Sequence, residues 1–315
     1  METTIPKNSK RNILFQWFDS SVTARSIRNV DSIDWLRVIP FIGMHLACLL
    51  VLIVGWSYVA IYAALFSYLI RMFAITAFYH RYFSHKAFKT GRVCQFVFAL
   101  IGATATQRGP LWWAAHHRRH HRYSDQEKDV HSPRDGFIWS HMGWFLSLRH
   151  FATNEKLVRD LAKFPELRWL DRFDIVVPIV YAIVFWALGF ALETHYPELG
   201  TNGWQMLIWG YFISSIFLIH CTLMVNSLAH ICGTRRFETG DDSRNNFFIA
   251  LLTLGEGWHN NHHHYPVSAR QGFYWWEIDI SYYLLRAMAF VGLIWDLKEV
   301  PKSRLIANQI FKEET

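Results

Sequence analysis

At 315 residues the chain has room for one large domain or two. A hydrophobic share of 52% against a charged share of 18% excludes an ordinary soluble fold, in which charge supplies about a quarter of residues. The net charge of +7 comes without a compact basic repeat or an aromatic-interleaved motif. That argues against nucleic acid and for a surface facing anionic lipid.

In chain order, residues 1–37 are polar and basic, with an aromatic patch at Phe15–Phe18, and are expected at the cytoplasmic surface. METTIPKNSKRN has no apolar run to act as a cleaved signal, so the first apolar segment is expected to be the membrane address. From Val38 to Tyr79 the only formal charge is Arg71. The run is about twice what one span needs and predicts two helices, 38–56 and 59–79, joined near Gly55–Ser57. Residues 80–173 are polar apart from two short apolar patches, 93–106 and 137–148, which fit helices lying along a membrane surface. A third span is predicted over 174–193 and a fourth over 204–230. Residues 231–315 are polar again, with short apolar runs at 247–254 and 283–295. No internal repeat is present.

Both short links between paired spans lack Lys and Arg, and nearly all 32 basic residues fall in the other three segments. The positive-inside rule places those segments, and both termini, in the cytoplasm. The fold class that follows is all-α integral membrane. Four transmembrane helices form two hairpins, and a cytosolic helical cap (80–173 and 231–300) holds a polyhistidine dimetal site. Residues 38–300 read as one domain and 301–315 as a tail. Cys48, Cys94, Cys221 and Cys232 form no CxxC pair and read as reduced fillers.

The chemistry lies in the histidines. In WWAAHHRRHHRYSD, His117, His120 and His121 sit at i, i+3 and i+4, which share one face of a helix and can converge on metal. GEGWHNNHHHYP repeats the spacing at His259, His262 and His263. YHRYFSH adds His80 and His85, which lie about 140° apart on an α-helix, so that helix must end or distort for both to reach metal. His230, with Asn226 four residues earlier, closes the fourth span as a ninth candidate. Nine imidazoles are too many for one four-coordinate zinc and suit two metals. Imidazole accepts Fe, Zn, Cu or Ni, so ligand type alone does not choose. A carboxylate-bridged di-iron bundle needs two Glu-x-x-His pairs; a single such spacing occurs here, Glu256 to His259, so that site is not the one encoded. Asp129 and Glu256 are candidates to orient ligand rings through hydrogen bonds. His116 and His264 read as ring neighbours of the boxes, His131 and His141 as cap or headgroup residues, and His45, His195 and His220 as structural.

HRYFSH, HHRRHHRYSD, NSLAH and GEGWHNNHHHYP resemble the histidine boxes of the integral-membrane fatty acyl desaturases, closest to the Δ9 acyl-CoA and acyl-lipid (stearoyl-CoA desaturase-like) group. DVHSPRDGFIWSHMGW and RRFETGDDSRNN resemble that family's flanking segments, and the resemblance covers roughly 35–300. It implies two Fe2+ ions on His80, His85, His117, His120, His121, His230, His259, His262 and His263, with Asn226 reaching one iron through water. It also implies O2, an acyl-CoA (favoured) or lipid-bound acyl chain, and a cis double bond, most simply at Δ9. No flavin, haem or iron–sulfur motif is present, so electrons are expected from a separate cytochrome b5-like or ferredoxin donor.

A methylene has no polar handle, so position must be set by a tunnel. Trp112, Trp113, Trp258, Trp275 and Trp276 are candidates to line it, and Tyr68 to close its far end, so that Tyr68→Ala would favour longer chains. Animal acyl-CoA enzymes carry an Arg and an Asp just before the second box. Ala115 and His116 stand there instead, which leaves Arg149 as a candidate phosphate contact. The rival readings are a membrane hydroxylase or alkane monooxygenase with the same metal chemistry and, from another class, a metal transporter or sensor.

Overall fold

A computed structural model describes residues 17–20 and 32–310. The Phe15–Phe18 patch lies partly outside the described residues.

The first apolar helix, α1 (Trp35–Cys48), breaks at Leu49–Leu50 and resumes as a single turn, Val51–Val54. Gly55 then takes a positive φ of 65°, a conformation that costs glycine little, and reverses the chain. Ser57 caps α2 (Tyr58–Ser84), its hydroxyl accepting from the Ala60 N–H at 3.1 Å. The helix runs five residues past the predicted Tyr79, and from Ala74 it is a π-helix. After a two-residue strand, β1 (Lys89–Thr90), come α3 (Arg92–Ala103), α4 (Pro110–Tyr123) and α5 (Pro165–Arg172). Two long apolar helices follow, α6 (Val176–His195) and α7 (Gly203–His230). Then come α8 (Phe247–Leu252), α9 (His259–His264), α10 (Ile280–Phe290), β2 (Ile294–Trp295) and a short last helix, Lys302–Ile306.

Among the described residues α2, α6 and α7 are long and apolar enough to cross a membrane. The predicted first span, 38–56, is here the shorter helix Val38–Val54, interrupted in the middle. The protein is mostly helical, with one departure: β1 pairs antiparallel with β2 and ties the start of the cap to its end. Of the two apolar patches, 93–106 is largely α3, whereas 137–148 holds only a π-turn, Trp139–Gly143, and the start of a 3₁₀ turn. The predicted tail is joined to the cap by backbone: Ile310 donates to Arg236 and Glu238 to Asn308.

The helix α7 is central and packs against α1, α2 and α6. Its contact with α6 is close because Gly210 leaves no side chain; a Cβ there would meet the Phe185 ring at 2.2 Å. The turn before α2 meets the start of α7, with Ser57 Oγ donating to Thr201 Oγ1 at 2.9 Å and Trp209 Nε1 to the Gly55 carbonyl at 3.0 Å. Arg71, the lone charge of the first run, is fully buried and donates to Ser214, Ser215 and backbone carbonyls. Those oxygens satisfy its donors at a depth where a bare cation is costly.

Candidate metal centre

The C-terminal ends of α2 and α7 bring His80, His85 and His230 up against α4 and α9. The nine histidines then fall into two groups of nitrogens, each within 4.8 Å of one another: His80, His85, His117, His121 and His262, and His120, His230, His259 and His263.

The sequence spacing suggests one face per box; the structure divides each of the two i, i+3, i+4 boxes between the two groups. The reason is helical geometry. At about 100° per residue, i+4 lies about 40° to one side of i and i+3 about 60° to the other. From α4, the pair His117 and His121 turns to the five-ring group and His120 to the four-ring group. From α9 the assignment is reversed: His259 and His263 go to the four-ring group and His262 to the other. Two helices, each with i, i+3 and i+4, thus interlock the two groups.

His80 and His85 meet by a different device. The π-helix bonds i to i+5, and the His85 N–H donates to the His80 carbonyl at 3.3 Å. Its wider turn brings residues five apart back onto one side, and the two rings stand 4.9 Å apart.

Several Nε2 atoms face one another at separations short for neutral rings that share no proton. His85 and His117 are 2.8 Å apart, His121 and His262 2.8 Å, His80 and His262 3.0 Å, and His230 and His259 3.0 Å. The buried Nε2 atoms of His120 and His263 have no partner at all. Buried polar atoms are rarely left so. Facing lone pairs and orphaned nitrogens are what a metal cation would satisfy, so the donor sets fit two metal ions.

Four of the rings, His80, His120, His230 and His263, are held from behind at Nδ1. Asp129 accepts from His120 Nδ1 at 2.9 Å, Asp125 from His230 Nδ1 at 2.8 Å and Asp241 from His263 Nδ1 at 2.7 Å. Glu256 pairs with His80 Nδ1 and is shared with Arg81, which also pairs with Asp279. These carboxylates fix each ring's tautomer with Nε2 facing inward. Burial pushes the Asp125 carboxyl up, but the His230 hydrogen bond and charge outweigh it and leave its pKa at about 2. Asp129 and Asp241 are held well below the usual range by His120 and His263 against the same burial. Burial, with neighbouring rings adding to it, keeps His117, His121, His259 and His262 far below the ordinary imidazole value. Neutral rings have the lone pairs a metal needs.

A cavity of about 250 Å³ reaches this centre. Its wall includes Phe41 and Met44 from α1, Trp112, Trp113, His116 and His117 from α4, Pro178 from α6, Leu223 and Asn226 from α7, and Trp144. Trp113 stacks on His117 at 5.0 Å, so an apolar chain would lie beside the five-ring group. Asn226 faces the cavity close to His230 in sequence.

Other expectations fall elsewhere. Tyr68 is off the cavity wall; its hydroxyl donates to the Leu252 carbonyl and its ring packs on Phe217. Trp275 and Trp276 are exposed, and Trp258 is buried away from the cavity, donating to the Ile278 carbonyl. Arg149 is exposed on the cap. His116 lines the cavity with Nδ1 on the Trp112 carbonyl, His131 stacks on His120 at 4.2 Å, and His264 contacts the Arg304 carbonyl. The sequence reading did not single out Asp125, Asp241, Arg81, or Gln107, whose amide donates to Thr222 across the cavity wall at 3.0 Å. Asp125 and Asp241 lay inside motifs already quoted, and a carboxylate beside a histidine box was the available signal.

The sequence profile of the fatty acid desaturase family matches residues 35–293. The chain belongs to the fatty acid desaturase family. It is 34% identical to an sn-1 stearoyl-lipid 9-desaturase of Anabaena variabilis, over 86% of this chain and 96% of that one. It is 35% identical to an sn-2 palmitoyl-lipid 9-desaturase of Nostoc, over 84% and 90%. An acyl-CoA C20 Delta5-desaturase of Anemone leveillei matches at 34% over 86% and 84%. This desaturase is therefore an oxidoreductase, and its histidine groups are those of a histidine-box enzyme whose apolar helices associate with membrane.

Proposed function

We propose that this desaturase inserts a cis double bond at Δ9 into a saturated acyl chain, using two irons held by the two histidine groups. The observation that carries the reading is the pairing of two imidazole groups with an apolar cavity that passes one of them. Members of this family generally use iron, and bound iron supplies the redox chemistry that activates O2 toward an unactivated C–H bond. The chain's own residues do the rest. Asp125, Asp129, Asp241 and Glu256 orient the ligand rings. Trp112, Trp113, Met44 and Leu223 exclude water and hold the methylenes in register. Asn226, on the cavity wall, would contact the four-ring metal through water. A separate protein supplies two electrons.

The Δ9 position is supported by the relatives named for it in Anabaena and Nostoc. A lipid-bound acyl chain is favoured by the cavity lining. Its only Lys or Arg among the described lining residues is Arg108, already paired with Asp174 at 2.5 Å, so no free cation awaits the phosphates of CoA. Acyl-CoA is the second reading, because the Anemone relative uses it. We read Val38–Val54 as a fourth span, with both termini and the metal centre on the cytoplasmic side, because the links at 55–57 and 196–202 lack Lys and Arg.

Expression in a desaturase-deficient host, with double-bond mapping of the lipids, tests the activity. Loss of two hydrogens at Δ9, abolished in His120→Ala, supports it; gain of oxygen instead identifies a hydroxylase.

A further inference from the structure

Three histidines outside both groups form a chain of their own. His45 on α1 contacts His220 on α7, Nε2 to Nε2, at 3.0 Å. His220 Nδ1 lies 3.0 Å from Nε2 of His141 in the Trp139–Gly143 turn. The outer ends rest on the Phe41 carbonyl, 2.8 Å from His45 Nδ1, and on Ser227 Oγ, 3.0 Å from His141 Nδ1.

Two features separate this chain from the metal groups. There, Nε2 atoms gather around a point; here His220 uses opposite nitrogens, so no point lies within reach of all three rings. There, carboxylates stand behind the rings; here a carbonyl and a hydroxyl do. The arrangement is a strut between helices, not a chelate. It links α1, α7 and the cap in series, and each ring satisfies a neighbour that would otherwise be a polar group set among apolar helices.

The end of the strut is where α7 changes form. The α-helix stops at Asn226, Ser227 adopts φ −108° and ψ −71°, and Leu228–His230 is a 3₁₀ turn. A 3₁₀ turn advances about 120° per residue against about 100° for an α-helix, so three residues rotate a side chain by roughly 60°. That rotation decides where His230 points. In this structure it meets Asp125 with Nδ1 and His259 with Nε2. Ser227 Oγ, fully buried, is the hinge of the change and contacts both the Leu223 carbonyl at 3.0 Å and His141.

We infer that His220, acting through His141 and Ser227, is a positioning residue that holds the end of α7 in the form that aims His230 at the four-ring metal. The inference rests on the two-metal reading above. It assigns a role in the metal centre to a side chain inside the fourth apolar helix, ten residues from His230.

The test is chelator challenge of purified, iron-loaded protein, with iron per chain followed over time. In His220→Phe one of the two irons should leave at least about tenfold faster and the other at the wild-type rate, the lower bound for losing a group that orients a ligand. Turnover should fall with little change in KM for the acyl chain, and His220→Gln, which keeps a donor and an acceptor, should restore part of the retention. Should His220→Phe fail to fold, Ser227→Ala, which removes only the hydroxyl, carries the same expectation. Both irons leaving at the wild-type rate, or both leaving equally faster, overturns the inference. A wild-type chain that holds fewer than two irons overturns the two-metal reading, and this inference with it.

Discussion

The two histidine groups use the same ring and differ in what stands behind it. In the four-ring group, three rings rest on Asp125, Asp129 and Asp241. In the five-ring group the carboxylate is Glu256, behind His80, and Arg81 neutralises it. One group surrounds its site with anionic charge and the other relies on a fifth imidazole. The five-ring group is also the one whose His117 carries Trp113 on the cavity wall. On the proposed two-iron reading, the difference would make the four-ring metal the more tightly held and the five-ring metal, beside the cavity, the more exchangeable.

Ligand removal should break the comparison most severely. His262→Ala and His263→Ala take one ring from opposite groups. Each should abolish detectable unsaturation in lipid mass spectra, while metal analysis shows a different iron lost in each case. If both variants lost both irons together, the groups would not be separable sites.

Next come the carboxylates. Asp241→Asn should weaken retention of the four-ring iron about 10–100-fold in chelator competition, because a ligand ring loses its orienting anion. Glu256→Gln should cost less than about tenfold at the five-ring iron, since Arg81 already balances that charge. Equal effects would remove the asymmetry.

Chain selection is a smaller effect. Leu223→Trp should shift the products toward shorter chains by narrowing the cavity next to Asn226. Tyr68→Ala should leave the chain-length profile unchanged, contrary to what its place on the second apolar helix suggests from sequence. A shift toward longer chains would return Tyr68 to the tunnel.

The smallest effect is on stability. Burial lowers the His150 imidazole to about 4. Its unfolded counterpart takes up a proton near 6.5, so between about 6.5 and 4 the unfolded chain binds more protons and this ring's contribution is lost as pH falls. Thermal unfolding of His150→Phe should show a shallower decline over that window than the wild type. Identical pH slopes would count against a neutral buried ring.

Much of this was legible along the chain because it is local. The i, i+3, i+4 spacing needs only helical geometry, and charge-free runs mark apolar helices whatever packs around them. The His80–His85 pair shows the limit. Five-residue spacing demands a distortion, but not that the distortion begins six residues before His80 and takes the form of a π-helix. Asp125 and Asp241 were in view but without partners, because the hydrogen bond from His230 spans 105 residues. Tyr68 lies off the cavity wall, on the Leu252 carbonyl: a helix face shows which residues share a side, not whether that side meets a cavity or a carbonyl.

By itself the amino-acid order determined the membrane class, the nine imidazoles and the family chemistry they carry. Only the tertiary structure decided how α4 and α9 share their rings between two sites, which carboxylate stands behind each ring, and where the cavity runs. The physical reason is range. Helical periodicity and hydropathy act over a few residues, whereas a metal site is closed by side chains whose separation in sequence says nothing of their distance in space.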